Sequence, residues 1–239
     1  MLELQPTDFL AVSLVAAIRG GDTDTLTGML TARPELVDVG IAGRKGGHRS
    51  LLHVVTDWPG YFPSGPAIAS TLLASGADPE GLVQGMSSET PLHWAASSDD
   101  FEVAEVLIDG GANIEAMGAS IAGGTPLDDA VGYGCWRVAQ LLLTRGARVD
   151  KLWHAAGLGL TRRAADLVEA HTPTQAQLDE AFWQACHGGH RRTAEYLLAQ
   201  GAEIHATPPY ARQTALAIAG STDTGRQALQ TWLKERGAS

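Results

Sequence analysis

Apolar residues fall along this chain in short helical blocks closed by glycine, and the clearest block lies between Ser88 and Ala116. There Leu92, Ala95 and Ala96 recur at helical spacing and predict a short first helix. Thr90 stands at the cap position and Pro91 at the first helical position, where its missing N–H costs nothing. Phe101, Val103, Ala104, Val106, Leu107 and Ile108 predict a second helix. Gly110-Gly111 ends it, because glycine accepts the left-handed cap conformation.

The two-helix block recurs with variations. A first unit, about 8–39, has one helix at Leu14–Ile18, a second carrying Leu26, Met29 and Leu30, and a stop at Pro34. The second, 50–82, opens at Ser50-Leu51-Leu52-His53 and ends at Gly76-Ala77-Asp78. Further units are expected at 89–117, 124–151, 152–172, 175–207 and 213–236. Inside the second unit, Pro59, Gly60, Pro63, Gly65 and Pro66 cannot continue a helix, so Trp58–Pro66 reads as an inserted loop. Gly40–Arg49 reads as a glycine-rich basic loop, either mobile or a functional lip. The fifth unit begins soon after Gly146, lacks the Thr-Pro turn and the Gly-Ala stop, and has its second helix at Arg163–Ala170. His171–Thr174 then makes a turn, with Thr174 capping the sixth unit.

The order T-P-L-H, A-A, a leucine-rich helix end and then G-A-D/N closely resembles one ankyrin repeat. The resemblance implies an all-α ankyrin-repeat solenoid: about seven helix-turn-helix units with short hairpin loops, filling residues 1–239 as one domain. The extra residues at 83–89 and 118–124 would lie in hairpin fingers. In proteins of this kind, partners usually bind the concave side, lined by the fingers and by the exposed ends of the first helices. Those ends hold Asp57-Trp58, Ser97-Ser98, Gly132-Tyr133, Gly157-Leu158, His187-Gly188 and Ser221-Thr222. The function implied is a cytoplasmic protein-protein interaction module, a scaffold binding a protein partner in its groove.

Charge and cysteines narrow the setting. A formal net charge of −10 argues against nucleic acid and favours a basic or neutral partner. The basic pairs Arg44-Lys45, Arg162-Arg163 and Arg191-Arg192 read as solvated helix ends. No stretch approaches the roughly 18 apolar residues of a membrane span. Glu3 and Asp8, ahead of the apolar run Phe9–Ile18, argue against a signal peptide. Cys135 and Cys186 fall two repeats apart and are expected to be reduced, as in the cytoplasm.

Candidate chemistry is thin. Trp58, Tyr61 and Phe62 in the inserted loop are recognition anchors or a self-packed loop. Trp94 fits a core slot, while Trp153 and Trp183 occupy the slot of His93 and imply a remodelled inner wall. His53, His93 and His190 fit structural positions, as the resemblance implies. His154 and His187, with Asp57, Asp128 and Asp129, offer a histidine–carboxylate pair for acid–base work, or are solvated groove residues. His187 and His190 lack a third ligand, so no metal is expected. No nucleotide, nucleophile or metal fingerprint occurs, which implies no cofactor and weighs against a common enzyme class. The alternative reading is a small-molecule binder or unconventional enzyme. Its Trp/His/Asp-lined pocket would lie in the groove near the fourth to sixth units, where a finger is missing at Asp150–Leu152.

Overall fold

The computed structural model describes residues 2–43, 47–82, 88–220 and 226–238. The chain divides into two compact units, Met1–Ala147 and Arg148–Ser239. In the first, β1 (Glu3–Leu4) precedes α1 (Phe9–Gly20) and α2 (Thr23–Ala32), and a 3-10 turn (Pro34–Asp38) leads into β2 (Gly40–Ala42) and β3 (His48–Arg49). Three helix pairs follow: α3 (Leu51–Val55) with α4 (Gly65–Ala74), α5 (Pro91–Ser98) with α6 (Phe101–Asp109), and α7 (Pro126–Tyr133) with α8 (Trp136–Thr144). The first helices α1, α3, α5 and α7 pack on one another in order, and so do the second helices α2, α4, α6 and α8. This makes two layers with the core between them, where Leu14, Leu26, Leu52, Ile68, Leu92, Leu107, Leu127 and Leu142 are buried.

The second unit holds α9 (Leu152–Gly157), α10 (Thr161–Ala170), α11 (Gln175–Gly188), α12 (Arg191–Ala199), α13 (Ala215–Ala219) and α14 (Gln227–Glu235). Here α9, α11 and α13 form the first layer, and α10 packs on α12. Phe182, Cys186, Leu197, Trp232 and Leu233 fill its core. The fold is the all-α ankyrin-repeat solenoid, to which the first unit adds one small sheet.

Local chemistry sets these boundaries. Thr90 with His93, Thr125 with Asp128 and Thr174 with Gln177 form reciprocal capping boxes at the starts of α5, α7 and α11. The second helices α4, α6, α8 and α12 end alike. Gly111 has φ +97°, and the N–H of Ala112 returns to the carbonyl of Leu107 at 2.9 Å. Gly76, Gly146 and Gly201 repeat that geometry, a left-handed closure in which glycine has no Cβ to strain.

Several expectations need correction. Gly40–Arg49 is not a free loop at its ends: β2 pairs parallel with β1 and antiparallel with β3. Its basic pair Arg44-Lys45 lies outside the described residues, as do Val83–Ser87 and Ser221-Thr222. Helix α3 stops at Val55, so Trp58 lies on the inserted loop and not on a first helix. Helix α10 starts at Thr161, two residues before the predicted Arg163.

Candidate functional site

In the first unit, the inserted loop after α3 is pinned at several points. Asp57 receives Arg49 Nη1 at 2.7 Å and also pairs with Arg19, whose guanidinium lies over the Phe62 ring. The Tyr61 amide donates to Asp100 Oδ2 at 2.8 Å, while the other oxygen of Asp100 caps α6. The Tyr61 hydroxyl donates to the Asp99 carbonyl and receives Arg137 at 3.4 Å. A Cβ on Gly60 would come within 3.0 Å of Ser98 Oγ, which places the loop against the end of α5. Burial pushes the carboxyls of Asp99 and Asp100 above the usual range. The loop is thus held against α1 through Phe62 and against the turn between α5 and α6 through Tyr61, and Trp58 remains 81% exposed.

The other predicted groove residues of this unit divide into two kinds. Tyr133 is 53% exposed and its hydroxyl lies 3.0 Å from Ser120 Oγ. Ser97 and Ser98 turn back on their own helix, each donating to the Trp94 carbonyl at 3.0 Å. Trp94 is half-buried and meets the His53 ring edge-on at 4.9 Å. Asp128 and Asp129 are not solvated groove residues, because both are fully buried. Asp128 Oδ2 accepts from the Thr125 amide at 2.8 Å, completing a cap. Asp129 Oδ1 accepts from Ser120 Oγ at 2.8 Å and from the Ile121 amide at 3.2 Å, tying residues 120–121 to α7. Burial pushes its carboxyl up to about 6. His53 and His93 are structural: each ring bonds its own cap and a carbonyl of the following unit.

In the second unit, His154 is buried with its ring 4.2 Å from that of Trp153. Trp183 is buried, contacts the rings of His187 and Tyr210, and donates from Nε1 to the Gln213 carbonyl at 2.9 Å. Burial and the nearby Arg226 guanidinium hold His187 down at about 4. His190 bonds the Gly157 carbonyl, in keeping with a structural place.

A cleft of about 400 Å³ opens beside α9, α10 and α11, with Lys151, Trp153, Leu167, His171 and Glu180 on its walls. Of the aromatic and histidine candidates only Trp153 lines it; Glu180, which had no sequence signal, does too. Tyr210, also unforeseen, donates to Glu180 Oε1 at 3.0 Å. Among the described residues no group of three His, Cys, Asp or Glu side chains is placed to hold a metal. No described helix is long and apolar enough to cross a membrane.

Comparison with known proteins agrees with this architecture. Residues 63–152 match the family model for ankyrin repeats (3 copies). The human ASB11 ankyrin repeat domain is similar at 22% identity and TM-score 0.52, covering 91% of this chain and 96% of that one. The ankyrin repeat domain of Bcl-3, a member of the IkappaB protein family, is similar at 20% identity and TM-score 0.54, covering 92% and 97%. No curated protein sequence matches the chain.

Proposed function

We propose that this chain, which carries ankyrin repeats over residues 63–152 and has the fold of ankyrin repeat domains, is a cytoplasmic protein-protein interaction module. Ankyrin repeat domains are generally modules of that kind. The partner is a protein segment, basic or neutral against the chain's net charge of −10, that docks on the groove side. The observation that carries the reading is Trp58, whose ring stands 81% exposed on a loop anchored through Asp57, Tyr61 and Phe62. A large ring on a preordered loop binds with little further ordering cost. Tyr61 and Tyr133, about half exposed, extend the same surface chemistry. The cytoplasmic setting is supported by Cys135 and Cys186, both free thiols.

The experiment is affinity capture from source cells with the parent and with Trp58→Ser, identifying proteins retained by the first and lost by the second. Exposure of the ring means the variant should fold as the parent does. Capture unchanged by Trp58→Ser and by Tyr133→Ser would count against this surface.

A second reading, a small-molecule binder or unconventional enzyme, draws support from the cleft beside Trp153. It predicts stabilisation by a metabolite that leaves capture of the protein partner unaffected.

A further inference from the structure

We propose that the cleft of the second unit is a seat for an arginine side chain of a partner polypeptide. The inference rests on the protein-binding reading only in taking the ligand to be a polypeptide, and it uses no residue of the Trp58 loop.

The cleft exists because residues 171–174 alone join α10 to α11, where residues 110–125 join α6 to α7. Without a finger to cover it, the indole of Trp153 is left as a half-exposed wall. At about 400 Å³ the space lies within the roughly 300–1,000 Å³ of ligand sites.

Its chemistry selects a cation. The Trp153 ring already attracts one: Lys151 Nζ lies 5.9 Å from its centroid. Two carboxylates, Asp150 and Glu180, line the same space. Glu180 is oriented by the Tyr210 hydroxyl, and Gln177 is fixed by accepting from the Thr174 amide at 2.9 Å. Leu167 and Pro173 supply apolar wall for an aliphatic stem. A guanidinium suits this set better than an ammonium, since it is planar, weakly hydrated, stacks on an indole and forks onto carboxylates. Lys151 is then an internal stand-in, an ammonium on a flexible stem that the incoming arginine displaces.

That role for Lys151 gives a test whose sign is diagnostic. The full chain is titrated with Nα-acetyl-arginine methylamide while the Trp153 indole resonance is followed, assigned by its loss in Trp153→Phe. The uncharged citrulline analogue and the blocked lysine, blocked glutamate and free arginine probes serve as comparisons. The expected result is saturable binding of the blocked arginine, weaker for the lysine probe and absent for citrulline and glutamate. Glu180→Gln should weaken it about two- to fivefold, the range of an exposed ion pair read as a ratio of constants. Lys151→Ala should tighten it. An anion site would behave oppositely, so weakening by Lys151→Ala, equal binding of citrulline, or preference for the glutamate probe would overturn the proposal. So would an indole resonance that no probe moves. Free arginine binding far more tightly than the blocked form would replace the polypeptide by a free amino acid. Loss of partner capture in Trp58→Ser bears on the first unit and leaves these outcomes separate.

Discussion

The indole of Trp183 donates to the carbonyl of Gln213, the residue just ahead of the Thr214 cap of α13. Imidazoles make the corresponding bond in the first unit. His53 Nε2 meets the Glu89 carbonyl ahead of Thr90 at 3.2 Å, and His93 Nε2 meets the Gly124 carbonyl ahead of Thr125 at 3.3 Å. A histidine does two jobs there, since its Nδ1 also completes the cap of its own helix. In α11 the jobs are split. Gln177 completes the cap with Thr174, and Trp183, farther along the helix, reaches the next turn. A donor-only indole serves for the second job alone.

Trp183→Phe should therefore destabilise the second unit while keeping most of the ring contacts with His187 and Tyr210. Removing the donor leaves the Gln213 carbonyl unpaired, at a cost of about 1–3 kcal/mol. Guanidinium denaturation checks this. A midpoint equal to the parent's would mean that water replaces the indole.

Gly111→Val should cost about 1–3 kcal/mol, because φ of +97° is strained for any residue with a β-branched side chain. Space is not the obstacle, since a Cβ there meets nothing within 4 Å. Gly28→Ala, inside α2 with equal space and without the positive φ, should instead stabilise by about 0.5–1 kcal/mol. Opposite signs in urea melts would separate conformation from packing.

What could be read in the sequence was chemistry at fixed local offsets. Thr90, Thr125 and Thr174 announce helix starts within three residues, and Gly76, Gly111, Gly146 and Gly201 announce stops. The loop that carries Trp58 followed from the prolines and glycines around it, while the exposure of its ring did not. What escaped depends on distant partners. Glu3–Leu4 finds Gly40–Ile41, the Tyr61 amide finds Asp100, and Trp183 finds Gln213 only after folding. Asp128 and Asp129 looked like solvated acids because a carboxylate satisfied inside a turn has the same residue code as one in water. Glu180 joined the cleft because the short turn at 171–174 set it opposite Trp153, a consequence of what the chain lacks.

The first unit should show opposing pH effects. Burial holds His53 down at about 4, below its ordinary 6.5, so the unfolded chain binds more protons between those values and stability is lost as pH falls through them. Asp129, raised from 3.8 to about 6, does the reverse: the folded chain holds the proton, and stability is lost as pH rises from about 4 to 6. Each effect is on the order of 3 kcal/mol at full extent. Asp129→Asn deletes the second term, so its stability should fall more steeply than the parent's between pH 6.5 and 4. Parallel profiles from denaturation across that range would show that Asp129 does not titrate there.

The fifth helix pair should open more easily than its counterparts in the first unit. Lys151, at the cap position of α9, makes no side-chain cap, whereas α5 and α7 each have a reciprocal box. Helix α10 buries Ala164, while α6 buries Val103, Ala104 and Leu107 and α8 buries Val138, Ala139, Leu141 and Leu142. In a repeat array, stability is a sum of each repeat's own term and its neighbour terms, and a helix with little buried apolar surface lowers both. Two contacts offset part of the loss: Thr161 and Thr193 hydroxyls lie 2.7 Å apart, and Arg163 Nε donates to the Val149 carbonyl at 2.7 Å. Both sit at the start of α10, so its later turns, Asp166–Ala170, should exchange first. Native-state hydrogen exchange should place their opening free energy about 1–2 kcal/mol below that of α6 and α8. Protection in α10 equal to that in α6 would show that the short turns around 147–151 and 171–174 bind the pair as firmly as a complete repeat.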